Sequence, residues 1–147
     1  MKNLTKKNLT LNIQLFSELV SRKYKITDSN SPYIFIGSFS GTALAQYEEK
    51  GMIGVSSVFA KNLISFKPSK ISINTISHEL SHWVQTITTG ATDCNSTPVS
   101  GRNFDLAEKH EELLKSLINF MKDTGYYSIF YKLIYGYTPK TTNAYWA

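Results

Sequence analysis

The chain has 147 residues, of which 41% are apolar and 18% charged, and it carries a net charge of +5 at neutral pH. That length accommodates one domain with a core that needs no disulfides, and no apolar run approaches the ~20 residues of a membrane span. After the basic start Met1-Lys2-Asn3, Lys6, Lys7, Asn8, Asn12, Gln14 and Glu18 interrupt the apolar stretch, so no signal peptide is expected and the chain is read as cytoplasmic. The single Cys94 excludes an internal disulfide and a four-cysteine zinc site.

The net charge sits at one end. Residues 1–25 hold Lys2, Lys6, Lys7, Arg22, Lys23 and Lys25 against Glu18 alone, and the rest of the chain is balanced. A basic end on a neutral body suits a polyanion, either nucleic acid such as DNA or an anionic surface; the plainer reading is a solvated helix and a loose basic tail.

Leu9, Ile13, Phe16, Leu19 and Val20 recur at helical spacing and predict an amphipathic helix from Leu9 to about Lys23, followed by a polar turn over Thr27 to Pro32. Tyr33 to Phe39 is aromatic and β-branched over a strand's length. Thr42 to Tyr47 and Met52 to Phe59 flank the connection Glu48-Glu49-Lys50-Gly51 and predict a hairpin. Leu63-Ile64-Ser65-Phe66 is either a further strand or the lead into the next helix, which Pro68 precedes, Ser69 or Ser72 caps and Gly90 ends. Residues 90–103 read as a surface loop, and Asp105 to Glu108 as the capped start of a helix reaching about Asp123, where Gly125 stops it. The tyrosine-rich tail, 126–147, holds one short helix, Tyr127 to Tyr135. No repeat or linker divides the chain, so a single domain is expected.

Within the central helix, His78-Glu79-Leu80-Ser81-His82 spells His-Glu-x-x-His. At about 100° per residue the two histidines stand one turn apart on one face, where both imidazoles reach one metal ion. Zinc accepts such ligands, and Glu79, about a quarter turn aside, is placed to take a proton from a metal-bound water as the general base of a hydrolase. Ile73, Ile76, Leu80, Trp83, Val84 and Ile87 fall on the opposite side of the wheel, leaving Thr75, Ser81 and Gln85 beside the histidines, on a face expected to border a cleft.

A catalytic zinc usually has three protein ligands. Thr88 and Gln85 occupy the places where the longer metzincin motif has His and Gly, which leaves His110, Glu108, Glu111 and Glu112, with Asp93 and Asp105 as outsiders. On the late helix His110 shares a face with Leu106, Leu113, Leu114, Leu117 and Met121, within about 60°, whereas Glu108 and Glu112 lie about 160° away and Glu111 about 100°. Glu108 also has a sufficient role as the capping acid. His110 is therefore the preferred third ligand and Glu111 the alternative.

The hairpin Ala43 to Phe59, the segment from Ile76 to Gln85 around the motif and the segment Ala107 to Leu114 together resemble the SprT-like (Spartan-type) zinc metallopeptidases, over residues 30–122 approximately. His110 takes the position of the family's third ligand, although Glu111 and Leu114 stand where the family prefers Gly and an aromatic residue. The zinc ribbon of many members has no counterpart. The resemblance implies a minimal zincin-like α+β domain: a small antiparallel sheet of about three strands packed on an N-terminal helix, the motif helix and the third-ligand helix. It implies Zn²⁺ held by His78, His82 and His110, with Glu79 catalytic in the hydrolysis of a protein or peptide substrate, sometimes one bound to DNA. The alternative is a nucleic-acid-binding or host-protein-binding module with a structural zinc.

Overall fold

The computed structural model describes residues 3–37, 45–48, 62–89 and 101–137, except for the side chains of 46–48 and 101–107. Its elements, in chain order, are α1 (Asn3–Tyr24), a single 3-10 turn (Asp28–Asn30), β1 (Pro32–Ile36), β2 (Ala45–Glu48), β3 (Asn62–Phe66), α2 (Ile73–Thr89), α3 (Gly101–Thr124) and α4 (Tyr126–Tyr135). The α+β class and a three-stranded sheet match expectation. Among these elements no helix is long and apolar enough to cross a membrane.

α1 begins a turn and a half earlier than its apolar period suggests and buries Leu9, Ile13, Phe16 and Val20 completely. It ends where Lys25 adopts a left-handed backbone, φ +57°, and the Ile26 N–H bonds back to the Ser21 carbonyl at 2.8 Å. This is the six-to-one bond of a Schellman cap, with lysine in the position glycine usually occupies. Gln14 then donates from Nε2 to the Pro32 carbonyl at 2.9 Å and fixes the helix against the start of β1.

The sheet has the order β1-β3-β2. β3 pairs with β2 antiparallel, Ala45 opposite Phe66, but with β1 in parallel, Pro32 opposite Asn62 through Ile36 opposite Phe66. The expectation of an antiparallel sheet is therefore corrected to a mixed one. A meander would keep β2 in the middle with every neighbour reversed; here β3 inserts between β1 and β2, and two strands separated by two reversals run the same way. Glu48, read as part of a connection, belongs to β2, and the second arm of the expected hairpin, 52–59, lies outside the described residues. Along β1, Pro32, Ile34 and Ile36 point into the core while Tyr33 and Phe35 face outward, as the two-residue period requires.

α2 starts at Ser72, not Ser69. The Thr75 N–H donates to Ser72 Oγ at 3.1 Å and the Ser72 N–H to Thr75 Oγ1 at 2.8 Å, a reciprocal capping box with Thr in the usual Glu/Gln position. Trp83 of α2 and Asn62 of β3 meet on one acceptor: Trp83 Nε1 donates to the Asn30 carbonyl at 2.9 Å and Asn62 Nδ2 to the same oxygen at 3.0 Å. The turn, the central strand and the motif helix are thereby joined at one point.

α3 begins at Gly101, so residues 101–103 are helical and not part of a loop, and Asp105 to Glu108 lies inside the helix. The capping role given to Glu108 is corrected accordingly: a residue in the second turn is no longer beside the free N–H groups of the helix start. Gly125, φ +83°, supplies the left-handed step that separates α3 from α4, and Phe130 of α4 is buried edge-on against Phe16 with ring centroids 5.7 Å apart. Phe16 also packs on Phe120 and Tyr126, so α1, α3 and α4 close around one aromatic cluster.

Candidate metal centre

α2 and α3 bring the site together. On α3, His110, Leu114, Leu117 and Met121 form a buried stripe at helical spacing, while Lys109, Glu111, Glu112 and Lys115 remain exposed. On α2, Ser77 lies against this stripe, its hydroxyl 3.8 Å from Met121 Sδ. Ser77 and Ser81 are both fully buried and their hydroxyls are satisfied by carbonyls one turn back, Ile73 at 3.0 Å and Ser77 at 2.6 Å. A serine at such a position occupies little space and leaves no hydroxyl unpaired, which suits close packing of the two helices.

Ser81 and Gln85, expected to border a cleft beside the histidines, are 0% and 3% exposed. That expectation is corrected: this flank of α2 is buried, and of Thr75, Ser81 and Gln85 only Thr75 shares the partial exposure of His78 and His82. A wheel of α2 alone contains no information about what packs on its polar flank.

His78, His82 and His110 form one group, each offering a ligand atom within 4.8 Å of the others. His82 Nε2 is 3.0 Å from His78 Nε2, and His110 Nε2 is 3.1 Å from His78 Nδ1. The His82 and His110 rings stack at 4.1 Å, and His78 stands edge-on to both. Two nitrogens bound to one tetrahedral ion at 2.0–2.1 Å stand about 3.3–3.4 Å apart, so the observed separations differ from ligand spacing by a few tenths of an ångström. An ion would take only one of the two His78 nitrogens.

The electrostatics suit a cation. Burial, and secondarily the neighbouring His78, lowers the His110 pKa to about 4, and burial lowers that of His78 although Glu111 opposes the shift. Both rings are therefore neutral at physiological pH and offer lone pairs. His110 is 0% exposed, and its Nδ1 has no hydrogen-bond partner among the described residues; such a nitrogen in a group of imidazoles is satisfied most readily by a bound ion or by the proton shift that accompanies one. The three residues fit a metal.

Glu79 is 6% exposed, with Oε1 3.9 Å from His78 Nε2. This is a contact and not an ion pair: 3.9 Å exceeds a hydrogen bond, and burial raises the Glu79 pKa to about 7 while that of His78 falls. A carboxyl with a pKa of about 7 beside a pair of histidines can both accept and return a proton. Glu111, the alternative ligand, is exposed and outside the group; it is felt at His78 only through its charge. Glu108 and Glu112 are exposed, Asp93 lies outside the described residues, and for Asp105 only the helical backbone is described. The Asn30 carbonyl, which anchors the motif helix through Trp83, is invisible to sequence reasoning, because a backbone oxygen has no residue-type signal.

No family model, curated protein or solved structure matches this chain significantly.

Proposed function

We propose that the chain is a zinc-dependent metallopeptidase of SprT-like type with a minimal zincin-like architecture. The observation that carries this reading is the convergence of three histidines from two helices, with a buried carboxyl of pKa about 7 alongside. His78, His82 and His110 would hold the zinc. When bound, the ion supplies Lewis acidity toward a scissile carbonyl and lowers the pKa of water toward about 7.

The remaining steps belong to the chain's own residues. Glu79 takes the proton from the attacking water on its carboxylate and returns it to the departing amine, a cycle that needs a carboxyl poised near neutrality and not at its ordinary value of about 4.3. Its burial keeps competing water away from that proton. His78 and His82 lie on the less buried side of the group, which leaves a direction of approach for a peptide.

The test is a comparison of wild type with Glu79→Gln. Zinc content stays near one per chain and proteolysis of an unfolded protein substrate falls by at least ~100-fold. Full activity in this variant excludes the mechanism, and a chain that binds no zinc excludes the function.

A further inference from the structure

α1 carries a second apolar face, on the side turned away from the core. Leu9, Ile13, Phe16 and Val20 are buried, yet Leu4, Leu11 and Leu15 of the same helix are 70%, 56% and 39% exposed. At about 100° per residue these three leucines fall within about 20° of one line along the helix, and the buried four lie about 120–180° from it. A helix that only docks on a core needs one apolar stripe. The other stripe has no role in the fold.

The exposed stripe adjoins β1. Leu11 lines a groove of about 620 Å³ together with Lys6, Lys7 and, from the strand, Tyr33, which is itself 44% exposed. The bond from Gln14 to the Pro32 carbonyl at 2.9 Å fixes the helix against the strand, so leucines and tyrosine belong to one rigid surface. The charge of the chain gathers around it. Residues 1–25 hold six basic residues against Glu18 alone; of these Lys7 is exposed about 60° from the leucine line and Arg22 is exposed on it, one turn and more beyond Leu15.

We propose that this face of α1 docks on an anionic lipid surface, with Leu4, Leu11 and Leu15 entering the acyl boundary, Tyr33 at headgroup level, and Lys7 and Arg22 on lipid phosphates. A row of aliphatic side chains flanked by cations matches the layering of a bilayer, apolar within and negative at the rim. Nucleic acid would match the cations only, because leucines offer phosphates no donor and bases no ring to stack on. A second copy of the chain would cover the leucines but would set two segments of net charge +5 against each other. The helix lies in the plane of the surface and spans nothing. The metal centre has no part in this docking, which stands apart from the peptidase reading.

Co-sedimentation of the full chain with vesicles of phosphatidylglycerol and phosphatidylcholine in equal parts, and with vesicles of phosphatidylcholine alone, tests it. The mixed vesicles are bound, the neutral ones at least ~10-fold more weakly, and added salt weakens the binding. Leu11→Gln and Leu15→Gln each lose at least ~5-fold in affinity for the mixed vesicles, and Lys7→Gln and Arg22→Gln about fivefold each. Ile129→Gln and Lys132→Gln remove an exposed apolar residue and an exposed cation from α4 instead, and leave the affinity unchanged. All the substituted side chains are exposed, and circular dichroism reports that each variant folds. The proposal is overturned if the mixed vesicles do not carry the chain down, if the leucine substitutions leave binding unchanged, if the Ile129 or Lys132 substitution weakens it as much, or if light scattering shows a dimer that Leu11→Gln converts to monomer.

Discussion

His110 Nε2 lies 3.1 Å from His78 Nδ1 although 32 positions separate them in the chain. The contact joins two helices through their side chains, and His82 of α2 stacks on the same His110 ring. It also makes the candidate centre dependent on how α3 lies on α2.

Metal retention follows from that contact. After zinc loading and dialysis against a weak chelator, His110→Ala is expected to retain less than about a tenth of the zinc held by wild type, whereas Glu111→Ala retains nearly all of it, since removing one of three ligands abolishes the closed set. Metal analysis by atomic emission reads both. The opposite order would transfer the ligand role to the exposed carboxylate.

Stability of the metal-free chain depends on pH through opposed groups: Glu79 on one side, and His110 with His78, whose pKa burial also lowers, on the other. Burial lifts Glu79 to about 7, so between its unfolded value near 4.5 and 7 the folded state holds more protons than the unfolded one, and stability falls as pH rises through that window. Burial lowers His110 to about 4, so from about 4 to 6.5 the unfolded state holds the extra proton and stability rises with pH. Each shift corresponds to about 3 kcal/mol, and over their common range they largely cancel. Glu79→Gln removes the falling component. Urea unfolding of the metal-free variant should then show stability rising more steeply from pH 4.5 to 6.5 than in wild type, and a gain over wild type at pH 8.

The Asn30 carbonyl offers a second place to look. Asn62→Ala and Trp83→Phe each remove one of its two donors, and each is expected to cost about 1–3 kcal/mol, the range for a buried group losing its partner. Because both act on the same oxygen, the double variant should depart from additivity by at least ~0.5 kcal/mol in denaturant titrations. Strict additivity would mean that the shared acceptor does not couple α2 to β3.

At Lys25, the left-handed φ of +57° holds a residue with a Cβ in the position where helices favour glycine. Lys25→Gly should raise the unfolding free energy by about 0.5–1 kcal/mol, and Lys25→Val should lower it, because branching at Cβ worsens the clash. Thermal unfolding distinguishes these from a charge effect, since the two substitutions remove the same charge.

Residue order alone determined the parts of this protein that are local. The spacing of His78 and His82 places them on one helical face whatever surrounds the helix, and the stripe His110-Leu114-Leu117-Met121 marks the inward side of α3 because apolar residues repeat at its period. The apolar face of α1 and the ends of α3 and α4 at Gly125 and Gly136 are equally local, set by periodicity and by the backbone freedom of glycine. Strand order was different. Alternation in β1 states which residues face inward, but hydrogen-bond direction leaves no trace in side-chain pattern, so parallel pairing of β1 with β3 became visible only in three dimensions. The burial of Ser81 and Gln85 likewise depends on the elements packed on α2, which no wheel of α2 contains. Burial brings the pKa of Glu79 to about 7, and desolvation is a property of everything around a group and not of the group itself. The sequence could nominate the three histidines; only the docking of α3 on α2 could bring them within reach of one ion.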